Sequence, residues 1–141
     1  MISGTARVLI VDEDPDEADL IALAFKISGY PVDVVVSLSG SEAIANMIAP
    51  ERVPFNLVLL NLDSGASSGA AVLRELADHS YGCWAPKVAL TSIVEPSAIE
   101  SWYRLGAASV LLKPSDFDGF VGMVSDLCAY WFRMNLLPMP A

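Results

Sequence analysis

Histidine is almost missing from this chain and cysteine is scarce: there is one histidine, His79, and there are two cysteines, Cys83 and Cys128. A lone histidine excludes sites built from paired imidazoles. It stands in a polar Asp78-His79-Ser80 segment, which predicts a solvated helix end. The cysteine spacing fits neither a disulfide framework nor a zinc motif. Both thiols are expected to be reduced apolar fillers of a cytoplasmic protein. Positive charge is also short. Eight Lys and Arg face 17 Asp and Glu, for a net charge of −9. That excludes sequence-independent nucleic-acid binding, which needs a basic surface, and docking on anionic lipid. Long apolar runs are lacking too. Six residues in a row, as at Leu127 to Phe132, is the limit, against the roughly 18 of a membrane span. The early residues carry one cation, Arg7, and acids from Asp12 onward, so no signal peptide is expected.

What remains is apolar. Hydrophobic residues make up 54% of 141 positions and charged residues 18%, which describes one globular domain able to bury its own core. No internal repeat or low-complexity stretch interrupts it. The apolar pattern alternates between two periods. Short runs rich in Val, Leu and Ile predict strands at 7–11, 32–36, 55–60, 87–90 and 109–112. Helical spacing predicts helices at 14–28, 39–49, 68–78, 96–105 and 115–134. Gly29 stops the first helix. Ser39 and Glu42 form a capping box at the second. Pro96 opens the fourth and Gly106 closes it. Five strands alternating with five helices give a parallel sheet. The strands lack in/out alternation, so both faces are expected to be covered. Right-handed crossovers then predict an α/β, doubly wound, five-stranded parallel sheet of flavodoxin-like order 2-1-3-4-5.

In such a sheet the site lies beyond the carboxyl ends of the strands, where the order reverses. Strand 1 ends in Asp12-Glu13-Asp14, strand 3 in Asn61-Leu62-Asp63, strand 4 in Thr91-Ser92 and strand 5 in Lys113-Pro114. Carboxylates and an amide oxygen are hard donors suited to Mg²⁺. A lysine and a hydroxyl beside them suit an anion.

These residues carry a resemblance. The run Val8-Leu9-Ile10-Val11-Asp12-Glu13-Asp14-Pro15 resembles the opening of a response-regulator receiver domain. So do Pro54 through Asp63 with Gly69 following, Val88-Ala89-Leu90-Thr91-Ser92, and Gly106-Ala107 through Lys113-Pro114. The resemblance covers residues 1–134 as one domain and leaves 135–141 as an apolar tail. Tyr130-Trp131-Phe132 through Leu137-Pro138 further resembles the short regulators that partner phytochrome-type sensor kinases. The family implies an aspartate after strand 3 that accepts a phosphoryl group from a kinase histidine. It also implies two acids holding Mg²⁺, a hydroxyl and a lysine on the phosphoryl oxygens, and a cis Lys-Pro bond. Asp12 and Glu13 match the acid pair, Thr91 the hydroxyl and Lys113 the lysine.

Three positions depart from that pattern. The phosphoacceptor position is Asn61, and an amide has no anionic oxygen with which to form an acyl phosphate. The second acid is Glu13, one methylene longer than the usual Asp, so Mg²⁺ binding is expected to be weakened and not required. The aromatic switch position, three before the lysine, is Val110, which leaves the hydroxyl-to-aromatic coupling without its second half. The expectation is a stand-alone pseudo-receiver with no enzymatic activity, working by phosphorylation-independent binding to a sensor histidine kinase or another signalling protein. Lys113 then becomes a structural cation beside Asp12. The alternative is an active phosphorelay receiver that uses Asp63, or one whose natural residue at position 61 is aspartate. A flavin or nucleotide binder is disfavoured, because acids stand where a glycine-rich phosphate loop would follow strand 1.

Two helices carry more apolar surface than one stripe needs. The first has Ala18, Ile21 and Phe25, and also Leu20, Leu23 and Ile27. The last has Phe117, Val121, Val124, Cys128 and Trp131, and also Phe120, Met123, Leu127, Tyr130 and Met134. With the tail of Leu136, Leu137, Pro138, Met139 and Pro140, this predicts a homodimer through the last helices, with Trp102 and Tyr103 adding to its surface.

Overall fold

The computed structural model describes residues 4–48, 54–63, 68–79 and 84–137. Cys83 and the tail residues Pro138, Met139 and Pro140 lie outside the described residues. Among the described residues five strands and five α-helices alternate: β1 (Ala6–Val11), α1 (Pro15–Ser28), β2 (Val32–Ser37), α2 (Gly40–Ile48), β3 (Leu57–Asn61), α3 (Ser68–Asp78), β4 (Lys87–Thr91), α4 (Pro96–Arg104), β5 (Ser109–Leu112) and α5 (Phe117–Cys128). All pairings are parallel and the strand order is β2-β1-β3-β4-β5. The doubly wound, flavodoxin-like sheet expected from the alternation of periods is therefore the sheet observed.

The pleat splits the core in two. Val8 and Ile10 of β1, Leu57 and Leu59 of β3, and Val88 and Leu90 of β4 point to one face. There they meet Ala18, Ile21 and Phe25 of α1 and Phe120, Val124 and Leu127 of α5. Leu9, Val11, Val58, Leu60 and Ala89 point to the other, against Ala43 of α2, Val72, Leu73 and Leu76 of α3, and Trp102 of α4. The three central strands are covered on both faces, whereas edge strands β2 and β5 are mostly half-buried.

Local chemistry sets the helix ends. Asp14 caps α1 by accepting the Asp16 amide, Pro15 follows it, and Gly29 ends the helix at φ 82°, a left-handed conformation that only glycine adopts cheaply. The Ser39 hydroxyl accepts the Glu42 amide at 3.1 Å, and the Glu42 carboxylate reaches back to the Leu38 amide at 3.3 Å. His79 lies just past α3 and is exposed.

Two expectations need correction. The last helix is not one α-helix over 115–134. It begins at Phe117, capped by Asp116, and past Cys128 it continues as a π-helical turn, Ala129–Met134. The wider i→i+5 turn, closed by the Asn135 amide on the Tyr130 carbonyl at 2.7 Å, shifts which residue faces inward. Phe132 is buried and Trp131 only half-buried. The two apolar stripes therefore merge: Phe120, Val124, Leu127, Cys128 and Phe132 are buried, while Tyr130 and Met134 are exposed. Trp102 is not on the surface. It is 6% exposed, because that side of α4 packs on the sheet beside Ile99 and Leu105.

Candidate functional site

The strand register brings four chain segments to one edge. Asn61 ends β3 opposite Leu90, and Thr91 ends β4 opposite Leu112. The ladder runs one residue further on each strand: the Asp12 amide donates to the Ser37 carbonyl at 3.1 Å, Leu62 to Leu90 at 2.9 Å, and Lys113 to Thr91 at 2.9 Å. Asp12, Asn61, Thr91 and Lys113 are thus fixed by the sheet itself.

Asp12 is 1% exposed. Its Oδ1 accepts from the Asp14 amide at 2.9 Å and from the Asn61 side-chain amide at 3.2 Å. Its Oδ2 is buried and takes no hydrogen bond. Burial pushes the carboxyl up to about 6; the Asp14 amide opposes this, Glu17 adds to it, and Asn61 and Lys113 oppose it weakly. Glu13, next in the chain, is exposed at the rim. An orphaned, buried carboxylate oxygen fits a hard divalent cation, so Asp12 with Glu13 would hold one. The cation would supply positive charge for a phosphoryl oxygen. Asn61 brings a neutral oxygen where the family brings a charged one.

Lys113 is held as a structural cation. Its charge reaches Asp12, while its ammonium forms ion pairs with Asp63 and, at 2.5 Å, with Glu17 of α1. An amide at position 61 offers the ammonium no charge, and these two carboxylates do. Burial by itself would lower the lysine's pKa, but the bonds and charges of Asp63 and Glu17 outweigh it and raise it. Asp63 turns its side chain into the edge and accepts the Ser92 amide at 2.8 Å with its other oxygen. Glu17 was not anticipated. Its only sequence signal is an acid in the first turn of the helix that follows Asp12.

Thr91 is 2% exposed. Its hydroxyl accepts the Ile93 amide at 2.9 Å and donates to the Leu62 carbonyl at 3.4 Å. Val110 is half-buried against the second core. Its amide donates to the hydroxyl of Tyr103 on α4 at 3.2 Å, so an aromatic side chain reaches this position from a neighbouring helix. The Lys113–Pro114 bond is not cis: every described peptide bond is trans, the form a proline still favours by about 0.5–1 kcal/mol. Gly69 at the start of α3 rests on Asn61, where a Cβ would come within 2.2 Å of the Asn61 carbonyl oxygen. Cys128 is buried, which pushes its thiol up to about 11.

A doubly wound sheet that gathers acids, a hydroxyl and a lysine at its switch point defines a class of flavodoxin-like folds. Within that class the chain belongs to the response regulator receiver domain family, whose profile it matches over residues 8–125. It is 26% identical over 135 residues to RpaA of Synechocystis, described as a DNA-binding dual master transcriptional regulator. It is 29% identical over 118 residues to the transcriptional regulatory protein ZraR of Salmonella typhimurium. The chain spans 53% of the former and 25% of the latter. It is also 26% identical to FilR2 of Methanothrix harundinacea, a probable methanogenesis regulatory protein, over 88% of that protein.

Among solved structures it superposes on RcpA, a phosphorylated cyanobacterial phytochrome response regulator, with a TM-score of 0.83 and 23% identity, covering 96% of this chain and 100% of that one. RPA3017, in red light signalling of R. palustris, gives 0.83 and 20%, over 96% of this chain and 99% of that one. The Mn²⁺-bound response regulator Rcp1 gives 0.78 and 23%, over 95% of this chain and 99% of that one. These structural neighbours are response regulators, and they share the fold. Receiver domains act in two-component signalling and interact with sensor histidine kinases or other signalling proteins; the Rcp1 structure holds Mn²⁺. No helix among the described residues is long and apolar enough to cross a membrane.

Proposed function

We propose that this chain is a pseudo-receiver that signals by phosphorylation-independent protein binding. The observation that carries the reading is Asn61. It occupies the end of β3, and its side-chain amide donates to Asp12, so the position offers no anionic nucleophile. The donors that would steady a phosphoryl group are engaged within the chain: Lys113 by Glu17 and Asp63, and the Thr91 hydroxyl by Leu62 and Ile93. Mg²⁺ binds weakly at Asp12 and Glu13 and is not required. Asp63 as a substitute acceptor is disfavoured, because both its oxygens already accept hydrogen bonds.

Binding then needs a surface, and α1 supplies one. Leu20, Leu23 and Ile27 are 44–53% exposed, an apolar face suited to a sensor histidine kinase or another signalling protein. A second surface serves self-association. A groove of about 510 Å³ between β5 and the end of α5 is lined by Leu111, Met123, Leu127, Tyr130 and Trp131 among others. Met134 and Leu136, a few residues on from Tyr130, are exposed as well, and a second copy of the chain covers this end of the helix in a twofold dimer.

The test is intact mass after incubation with Mg²⁺ and a small-molecule phosphodonor, with Asn61→Asp run in parallel. The expected result is no phosphoryl on the native chain. Gain by Asn61→Asp alone would show a pocket intact but for its acceptor. Phosphoryl uptake by the native chain overturns the reading.

A further inference from the structure

Asp63 links three strand ends. Its Oδ1 accepts the amide of Ser92, the first residue past β4, at 2.8 Å, and its Oδ2 accepts from Lys113, the first residue past β5. An ammonium and a backbone amide converging from adjacent strand ends form an anion site. The lysine is well placed to serve it: its side chain is 8% exposed, and Glu17 of α1 also pairs with it at 2.5 Å. Asp63 itself is partly exposed at 38%, so the site opens to solvent on the side where Asp63 enters.

We propose that Asp63 is the resident anion of this pocket. Its carboxylate fills, from within the chain, the place between Lys113 and the Ser92 amide that a phosphoryl group or another tetrahedral oxyanion would take. The β4–α4 and β5–α5 connections are thereby held in one arrangement without phosphorylation. The inference rests on the pseudo-receiver reading and says what replaces the lost switch. A tethered carboxylate competes at an effective concentration of about millimolar or above. A free phosphate must also approach Asp12, Glu17 and Asp63 together, and like charges at such range repel it. Removing Asp63 changes both terms. It empties the space before the Ser92 amide, while Glu17 keeps the lysine in place.

The experiment is amide NMR of the full chain in chelator, titrated with inorganic phosphate, on the native protein, Asp63→Ala and the isosteric Asp63→Asn. In the native protein the Ser92 resonance stays fixed as phosphate is added. In Asp63→Ala it starts elsewhere and moves saturably, with phosphate affinity raised about tenfold or more. In Asp63→Asn it is displaced in the same direction by a smaller amount, which decides the matter if the alanine variant fails to fold. A native Ser92 amide that follows phosphate as readily as the variant's would overturn the proposal. So would a Ser92 resonance identical in all three proteins. Either result leaves the pseudo-receiver reading standing, since that reading falls only if the native chain takes up phosphoryl from the donor.

Discussion

Lys113 and Asp63 stand 50 positions apart in the chain and meet as an ion pair at the carboxyl edge of the sheet. Glu17 completes the set from α1, so one ammonium ties α1, the β3–α3 connection and the β5–α5 connection together. Lys113→Met would leave two carboxylates facing each other beside Asp12 with no cation between them. The expected loss is about 2 kcal/mol, between the values for an exposed and a fully buried pair because Asp63 keeps some solvent. It should appear as a lower urea midpoint with an unchanged slope. Glu17→Gln, which leaves Asp63 in place, should cost about half as much. An unchanged midpoint in Lys113→Met would show that the three charges contribute nothing to the fold.

Asp12 should make the native protein less stable as pH rises. Its carboxyl is raised from 3.8 to about 6 in the folded state. Between those values the folded chain holds a proton that the unfolded chain has released. Stability from this group is therefore greatest below about pH 4, falls through the window, and is fully lost above about pH 6. The span of two units corresponds to about 3 kcal/mol as an upper figure. Asp12→Asn removes the titration while keeping the hydrogen-bonding shape. In chelator the variant should be more stable than the native chain at pH 7, with the gap closing toward pH 4. Denaturant melts at both pH values measure it, and a constant gap would refute the assigned cause.

The fold was legible because β1, β3 and β4 are buried on both faces and so read as unbroken apolar runs, and because Gly29, the Ser39–Glu42 box and Pro96 mark the helix ends. The positions of Asp12, Asn61, Thr91 and Lys113 followed directly, since a strand end fixes where the next side chain begins. Their partners did not follow. Whether Lys113 turns to Asp12 or to Glu17 depends on a few ångströms at the end of a flexible side chain, and no spacing rule encodes that. Trp102 and Tyr103 are adjacent on α4, so only one can face the sheet, and composition does not say which. The π-helical turn was hidden for a similar reason: helix propensity does not distinguish i→i+4 from i→i+5 bonding.

Gly69 offers a test in which two effects oppose each other. By helix propensity alone, Gly→Ala in α3 should stabilise by up to about 1 kcal/mol. The added Cβ, however, would come within 2.2 Å of the Asn61 carbonyl oxygen and 2.9 Å of its carbonyl carbon and amide nitrogen. These are backbone atoms of a central strand and cannot swing aside, so α3 must move off β3. The expected net effect of Gly69→Ala is destabilisation by about 2 kcal/mol, with amide shifts at Asn61 and Leu62. A variant as stable as the native chain would mean that α3 is not seated on β3 as described.

Self-association is the outcome expected from the exposed end of the last helix. Tyr130, Met134 and Leu136 are 51, 72 and 84% exposed, and Tyr130 lines the groove beside β5. Water-exposed apolar groups of this size gain about 1.5–3 kcal/mol each when fully buried. A twofold axis uses every contact twice, so a small patch suffices. Sedimentation of the native chain should show a concentration-dependent dimer. Met134→Glu combined with Leu136→Glu should weaken it by about a hundredfold, roughly 3 kcal/mol, because each charge is buried twice. Leu23→Glu on α1 should leave the dimer intact, since that residue belongs to the other surface. If the native chain sediments as a monomer at all concentrations, the groove and the helix end serve a different protein. If Leu23→Glu dissociates the dimer while the double variant does not, the dimer surface is α1.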